Sequence, residues 1–265
     1  MVVAAPSFQA QEVSLSGGKL RYHVAGEGRP VLYLHSAGGV RLSPALETLA
    51  QTFRIYVPTL PGFDGTPRFT GVSSMPQLAE VAHEFGTAAV GDHCDVIGHS
   101  FGGWLAAWLA VLQPELVGQL VLEAAAGFRP EGAGGLGGTP EELRRRMFAH
   151  PERLTDEKPP DVQAANRALV EHYHGPTATD QQLLARLPEI QCLTLIVQGT
   201  EDGVVPPESA RLLKKHIPAS FLSYVFDAAH GIEVDQPDRF AALVREFLER
   251  GPAMIINWKD QPPSD

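Results

Sequence analysis

The sequence predicts a doubly wound α/β fold, a mostly parallel sheet with helices on both faces. Three observations predict it. Short apolar runs alternate with helical patterns through most of the chain, as parallel strands joined by helical crossovers do. Those runs are almost continuously apolar, as strands covered on both faces tend to be. The pentapeptide Gly98-His99-Ser100-Phe101-Gly102 stands directly between one such run and a long apolar helical pattern.

Taken in order, Glu12 to Ala25 alternates on either side of Gly17-Gly18, which is a hairpin signal. Val31–Leu34 and Phe53–Val57 are apolar runs bounded by turn residues, and helical patterning covers about 43–50 and 75–90. The run Cys94–Ile97 leads into the pentapeptide, Gly103–Leu112 reads as a buried helix, and Gln119–Glu123 as the next strand. The alternation breaks at Gly127. Residues 132–138 (GAGGLGG) read as a hinge, followed by Thr139 as N-cap and Pro140 in the first helical turn. Helices are expected at about 141–150, 161–172 and 179–186. Residues 127–190 are therefore expected to be a helical cap insertion, with 1–126 and 191–265 forming the core. The alternation resumes with strand Leu193–Val197, helix Glu208–Lys215, strand Phe221–Phe226 and helix Pro237–Glu249. The stretch 255–265 is expected to trail off.

At 265 residues and 28.6 kDa the chain suits one domain with an inserted subdomain. A formal net charge of −10 argues against nucleic acid or an anionic membrane as partner, since both favour a basic face. Cys94 and Cys192 each open an apolar run without metal-ligand spacing, which suggests a reducing compartment. The N-terminal segment lacks a basic region and a long apolar core, and no apolar run is long enough to span a bilayer. A cytoplasmic protein is the expectation, with no metal or organic cofactor.

The chemistry centres on Ser100. Strand, tight turn and helix are the setting of a nucleophile elbow, where the sharp turn projects the hydroxyl and small residues permit close backbone approach. An activated serine needs a base, an orienting acid and oxyanion donors. Of ten histidines, only His230 follows a late strand and precedes a terminal helix. Asp202, just past the strand ending at Val197, is the expected acid. Glu201 is its neighbouring rival, and Glu123, closing an apolar run, is the alternative acid. The oxyanion donors expected are the Phe101 amide at a helix start and the Ala37 amide in the loop 35–39, with Ser36 next.

With these residues placed, the chain resembles the α/β-hydrolase fold family. The resemblance rests on HSAGG (35–39), LPGFDGT (60–66), GHSFGG (98–103), QGTEDGVVP (198–206) and AAHGIEVDQP (228–237), in the family's order across about residues 12 to 250. It implies an α/β-hydrolase fold with a helical cap. Three positions depart from the family's pattern: Ser36 and Asp64 replace frequent glycines, and Thr59 a frequent aspartate. Asp64 is expected to cap a turn, or else to disfavour anionic substrates.

The expected reaction is hydrolysis of a neutral, moderately hydrophobic ester through an acyl-enzyme, with a small-molecule ester-like partner. Candidate substrate contacts are Ser36, Trp104, Phe128, Phe148, Val204 and Ile232, with Met147 and Tyr173 nearby. The alternatives are a carbon–carbon hydrolase of ring-cleavage products, which Arg129 and 144–146 could serve, a thioesterase or a lactonase. From another class, the scaffold could act as a ligand-binding receptor.

Overall fold

A computed structural model describes residues 6–130, 139–155, 157–175, 177 and 179–255. Among them eight strands form one sheet: β1 (Gln9–Leu15), β2 (Gly18–Ala25), β3 (Pro30–Leu34), β4 (Arg54–Pro58), β5 (Cys94–His99), β6 (Val117–Glu123), β7 (Leu193–Gly199) and β8 (Ser220–Val225). Their spatial order is β1-β2-β4-β3-β5-β6-β7-β8. β2 runs antiparallel to β1 and β4, and the other neighbours are parallel. The expected α/β-hydrolase fold is thus present.

Strand parity divides the core. Leu32, Leu34, Val96, Leu120 and Leu122 face α2 (Met75–Phe85) and α3 (Phe101–Leu112). Val31, Tyr33, Ile97, Val121, Leu195 and Val197 face the opposite side, where α1 (Pro44–Leu49) packs with the C-terminal helix Pro237–Arg250. α3 reads FGGWLAAWLAVL, and all but its last residue are buried. A helix apolar all round can only be an interior one.

Between β6 and β7 lie α4 (Pro140–Met147), α5 (Pro160–His174) and α6 (Gln181–Arg186). Thr139 and Glu142 close a capping box on α4, as the sequence suggested. The start of this stretch lies beside the residues that open α6: Phe128 bridges to Thr179, and Asp180 N–H donates to Gly127 O at 2.8 Å. The hinge 132–138 and the tail 256–265 lie outside the described residues. α7 (Pro207–His216) separates β7 from β8.

The elements differ from expectation in a few places. α2 ends at Phe85 and closes in a π-helical turn, Gly86–Val90. There Gly86 leaves only 3.0 Å to Leu116 for any Cβ, so the chain tightens against the core. α8 (Ile232–Asp235), ahead of α9 (Pro237–Arg250), was not legible, because four residues carry no helical period. Among the described residues no helix is long and apolar enough to cross a membrane.

The tightest constraint is at Gly102, where a Cβ would stand 1.9 Å from Leu34 O. Gly65 has φ +73 and open space around it. Gly102→Ala should therefore cost about 3 kcal/mol or more, while Gly65→Ala should cost only about 1–2 kcal/mol from its left-handed backbone. Urea denaturation of both variants measures the difference.

Candidate active site

Ser100 sits at the turn between β5 and α3 with φ 55 and ψ −112. Holding a serine there costs about 1–3 kcal/mol of local strain, which the surrounding backbone sustains. Ser100 N–H donates to Glu123 O at 2.8 Å, and Ser100 O accepts from Trp104 and Ala126 N–H. Gly98 and Gly102 let the turn cross itself, since a Cβ on Gly98 would stand 2.3 Å from Gly102 O.

His230 follows β8, and Asp202 follows β7. His230 Nε2 lies 2.8 Å from Ser100 Oγ, and His230 Nδ1 lies 3.0 Å from Asp202 Oδ2. With Nδ1–H donated to Asp202, Nε2 is free to accept the serine proton. Asp202 Oδ1 accepts from Val204 N–H at 2.8 Å and Val205 N–H at 2.9 Å, and Oδ2 also accepts from Gln198 Nε2 at 2.8 Å. Burial alone would raise the Asp202 carboxyl. His230 and the two amides outweigh it and hold the group below its ordinary value. The rival Glu201 is exposed, its N–H donated to Ala228 O.

The loop after β3 lies beside the elbow because Leu34 pairs with Gly98 across the sheet. Ala37 is half-buried in the turn 36–39, which Gly39 N–H closes onto Ser36 O at 3.0 Å. Ser36 Oγ accepts from Gly38 N–H at 3.3 Å, so its hydroxyl braces the turn. His35 Nδ1–H donates to Ser36 O, and Leu60 N–H donates to His35 Nε2. Burial pushes His35 down to about 4, so it is neutral. Phe101 begins α3, where the first amides have no partner within the helix.

Two other carboxylates hold backbone around the site. Asp235, fully buried, accepts from Ala229 N–H at 2.8 Å, Ala149 N–H at 3.0 Å and His150 N–H at 2.9 Å. Gly231 N–H donates to Met147 O at 2.8 Å. The end of α4 is thereby fixed to the His230 loop. Asp64, at φ 52, receives Val40 N–H, Lys158 Nζ and Asn166 Nδ2. Burial raises it, but these partners hold it below its ordinary value. Asp64 thus does more than cap a turn, and Lys158 balances its charge.

Glu123 does not orient His230. It is in phase with Val121, on the sheet face toward α8, and there it accepts from Glu233 N–H at 3.1 Å. Glu123 and Glu233 are both buried beside His99, whose Nε2–H donates to His230 O at 3.0 Å. Burial and the neighbouring Glu233 charge push the Glu123 carboxyl well above its ordinary value. Burial would raise Glu233 too, but His99 and the bond from Glu123 bring it below. Of the two carboxyls, Glu123 is therefore the one whose environment favours the protonated form.

The expected substrate contacts fare unevenly. Ile232 packs in the core on the α1–α9 face. Trp104 Nε1–H and Trp108 Nε1–H both donate to Asp180 Oδ2, at 2.8 and 2.7 Å, which ties α3 to α6. Phe128 is buried at its bridge to Thr179, and Val204 serves through its backbone. Phe148 lies against Gly231 and under Arg41. Phe101 packs with Phe63 and Tyr173, and Tyr173 O–H donates to Pro61 O at 2.6 Å. Sequence reasoning missed Asn166, Asp235, Glu233 and His99, whose contacts come from distant segments. Gln198 lay inside the quoted QGTED motif, where its polar side chain at a strand end was the available signal.

The family model described as the alpha/beta hydrolase family matches residues 31–243. The chain is 30% identical to a 2-hydroxymuconate semialdehyde hydrolase of Pseudomonas putida, over 92% of this chain and 95% of that one. It is 26% identical to a pimeloyl-[acyl-carrier protein] methyl ester esterase of Aeromonas salmonicida, over 84% and 96% of the two chains. The solved meta-cleavage product hydrolase of Pseudomonas fluorescens IP01 superposes with a TM-score of 0.76 at 25% identity, covering 90% and 97%.

The raised Glu123 carboxyl has a consequence for stability. Its folded pKa is raised above the unfolded value, so its contribution is fully present below the unfolded pKa and is lost as pH rises toward the folded one. The slope across that window is about 1.4 kcal/mol per pH unit. Glu123→Gln, which mimics the protonated form, should flatten this fall. Thermal midpoints of wild type and variant, followed as pH is raised from the ordinary glutamate value of about 4.3 upward, test it.

Proposed function

Because the chain belongs to the alpha/beta hydrolase family and is a hydrolase, we propose that Ser100 is its nucleophile, His230 its general base and Asp202 the acid that orients His230. The observation that carries this reading is the continuous series Ser100 Oγ, His230 Nε2, His230 Nδ1 and Asp202 Oδ2, with spacings of 2.8 and 3.0 Å. Ser100 Oγ attacks a carbonyl carbon while its proton passes to His230 Nε2. The Phe101 and Ala37 amides hold the oxyanion, each such donor lowering the barrier by about 2.7–4 kcal/mol. His230 returns the proton to the departing alcohol, leaving an acyl group on Ser100. Water then gives a proton to His230 and attacks the acyl carbon, and His230 returns that proton to Ser100 Oγ as the bond to the acyl group breaks and the carboxylic acid leaves.

The substrate proposed is a small, neutral, moderately hydrophobic carboxylic ester. The aromatic group Phe63, Phe101 and Tyr173 beside the elbow supports an apolar acyl site. Arg144 and Arg145 pair with Glu157 and Glu141, and Arg129 donates to Val204 O. Those commitments weigh against a set of cations gathered for an anionic substrate. Carbon–carbon hydrolysis of a ring-cleavage product is the second reading, favoured by the likeness to 2-hydroxymuconate semialdehyde hydrolase. Thioester and lactone cleavage use the same carbonyl attack. Residues 127–190 act in this reading as a cap over the site, and sustained turnover distinguishes an enzyme from a ligand receptor.

The test pairs a fluorophosphonate probe with turnover assays. One adduct on Ser100 is expected, absent in Ser100→Ala. Ser100→Ala and His230→Ala should each lower kcat by about 10⁴-fold or more, and Asp202→Asn by up to about 10⁴-fold. Glu123→Gln should stay within about tenfold of wild type. If Glu123→Gln were crippling and Asp202→Asn silent, the acid assignment would be wrong. Faster turnover of 2-hydroxymuconate semialdehyde than of p-nitrophenyl butyrate would replace the ester reading with the second one.

A further inference from the structure

The oxyanion-donor loop is held from above by a helix of the β6–β7 segment. Asn166 of α5 is completely buried and uses every polar atom it has. Its Oδ1 accepts from Asp64 N–H at 2.9 Å, and its Nδ2 donates to Gly38 O at 3.0 Å and to Asp64 Oδ1 at 2.8 Å. Asp64 Oδ2 accepts from Val40 N–H at 2.8 Å, and Lys158 Nζ donates to Asp64 Oδ1 at 2.5 Å. The peptide units on both sides of Gly39 are thus fixed by two side chains outside the loop. Gly39 itself has φ +83, and a Cβ there would stand 2.1 Å from Asp64 Oδ1. No larger residue fits beneath the clamp.

Ala37 is the residue immediately before this clamp. Its N–H shares a peptide plane with Ser36 O, which accepts from Gly39 N–H at 3.0 Å and from His35 Nδ1–H at 2.7 Å, so a clamp on the peptides either side of Gly39 reaches the Ala37 amide through the Gly39 bond. We propose that Asn166 and Asp64 are positioning residues that aim the Ala37 amide at the developing oxyanion, so that α5 takes part in transition-state stabilisation without touching substrate. The inference rests on the reading of Ser100 as nucleophile and of loop 35–39 as oxyanion donor. A carboxylate and a buried amide suit this place because the two backbone groups they hold are of opposite polarity, Gly38 O accepting and Val40 N–H donating. A displacement of about 1 Å in such a donor is enough to cost roughly 10²-fold in rate.

The variants follow from the geometry. Asp64→Gly removes the carboxylate while keeping a residue that accepts φ 52. Asn166→Leu removes the amide at similar volume, and Asp64→Asn keeps the shape while losing the charge. Each is compared with wild type for its rate of fluorophosphonate labelling, for kcat per labelled site and KM with p-nitrophenyl butyrate, and for inhibition by a trifluoromethyl ketone. The expected result is kcat lower by about 10- to 100-fold with KM within about threefold. Trifluoromethyl ketone affinity should fall in parallel with kcat/KM, because that adduct occupies the oxyanion site. A merely structural role would lower the labelled fraction and leave kcat per labelled site intact, which overturns the proposal. If Asn166→Leu fails to fold, Asp64→Gly decides the question alone. If wild type forms no adduct on Ser100, the underlying reading falls as well. If wild type reacts and both Asp64 variants match it, only the positioning role is lost.

Discussion

The structure depends on one close approach, the first turn of α3 lying on the end of β3. Gly102 touches Leu34 O so closely that no side chain fits between them, and Gly98 is pressed against Gly102 O in the same way. That contact bends the chain at Ser100 into a conformation a serine rarely adopts. It also brings the N-terminus of α3 and the loop after β3 together. A nucleophile and two amides from separate segments can meet only if the backbones that carry them can touch. The glycines contribute nothing chemical, yet without them the elbow and the donor loop would stand apart.

Around this contact the protein uses one functional group, the carboxylate, in several distinct ways. Asp202 takes amides on one oxygen and His230 on the other, so it stays charged in a buried place. Asp235 takes three amides and joins the end of α4 to the His230 loop. Asp64 takes a lysine, an asparagine and an amide. Glu123 takes one amide, beside Glu233 and His99, and burial with the Glu233 charge pushes its carboxyl well above the ordinary value. Between Asp202 and Glu123 the supply of donors makes the difference: converging N–H groups favour the ionised form, and burial without them favours the neutral one.

Much of this was legible in the sequence, and the legible part has a common character. Ser100, Asp202 and His230 each follow an apolar strand within a few residues, so local pattern located them and strand order brought them to one edge. Glu123 misled for the same reason, since it too closes an apolar strand. What separates it from Asp202 is parity. Glu123 shares the face of Val121 and looks toward α8, whereas Asp202 lies beyond its strand and is free to turn upward. Parity is readable from alternation only where one face is clearly polar, and the run Leu120-Val121-Leu122 before Glu123 is apolar on both. Asn166 was illegible because its partners lie 102 and 128 residues away and nothing in its own neighbourhood marks it; Asp235 lay inside the quoted AAHGIEVDQP stretch, but its bonds to Ala149 and His150 cross 86 and 85 residues and local pattern does not show them.

The attachments of the β6–β7 segment bear on how such a fold changes its substrate. Its helices reach the central scaffold at several places, three of which matter here: Asp180 takes both tryptophans of α3, Asp235 takes the end of α4, and Asn166 takes the loop 35–39. Two of these three anchors bind backbone that carries the proposed catalytic groups. A segment that merely covered the site could drift in sequence and position without touching the chemistry. Here the anchors limit that drift, because moving α5 moves Gly38 and moving the end of α4 moves Ala229. Variation is therefore expected to concentrate on residues of α4 to α6 that face away from the anchors, where pocket shape can alter while donor geometry holds. Hydrogen bonds through Asp235, Asp64 and Asn166 thus make the β6–β7 segment and the backbone around Ser100 and His230 mechanically one unit.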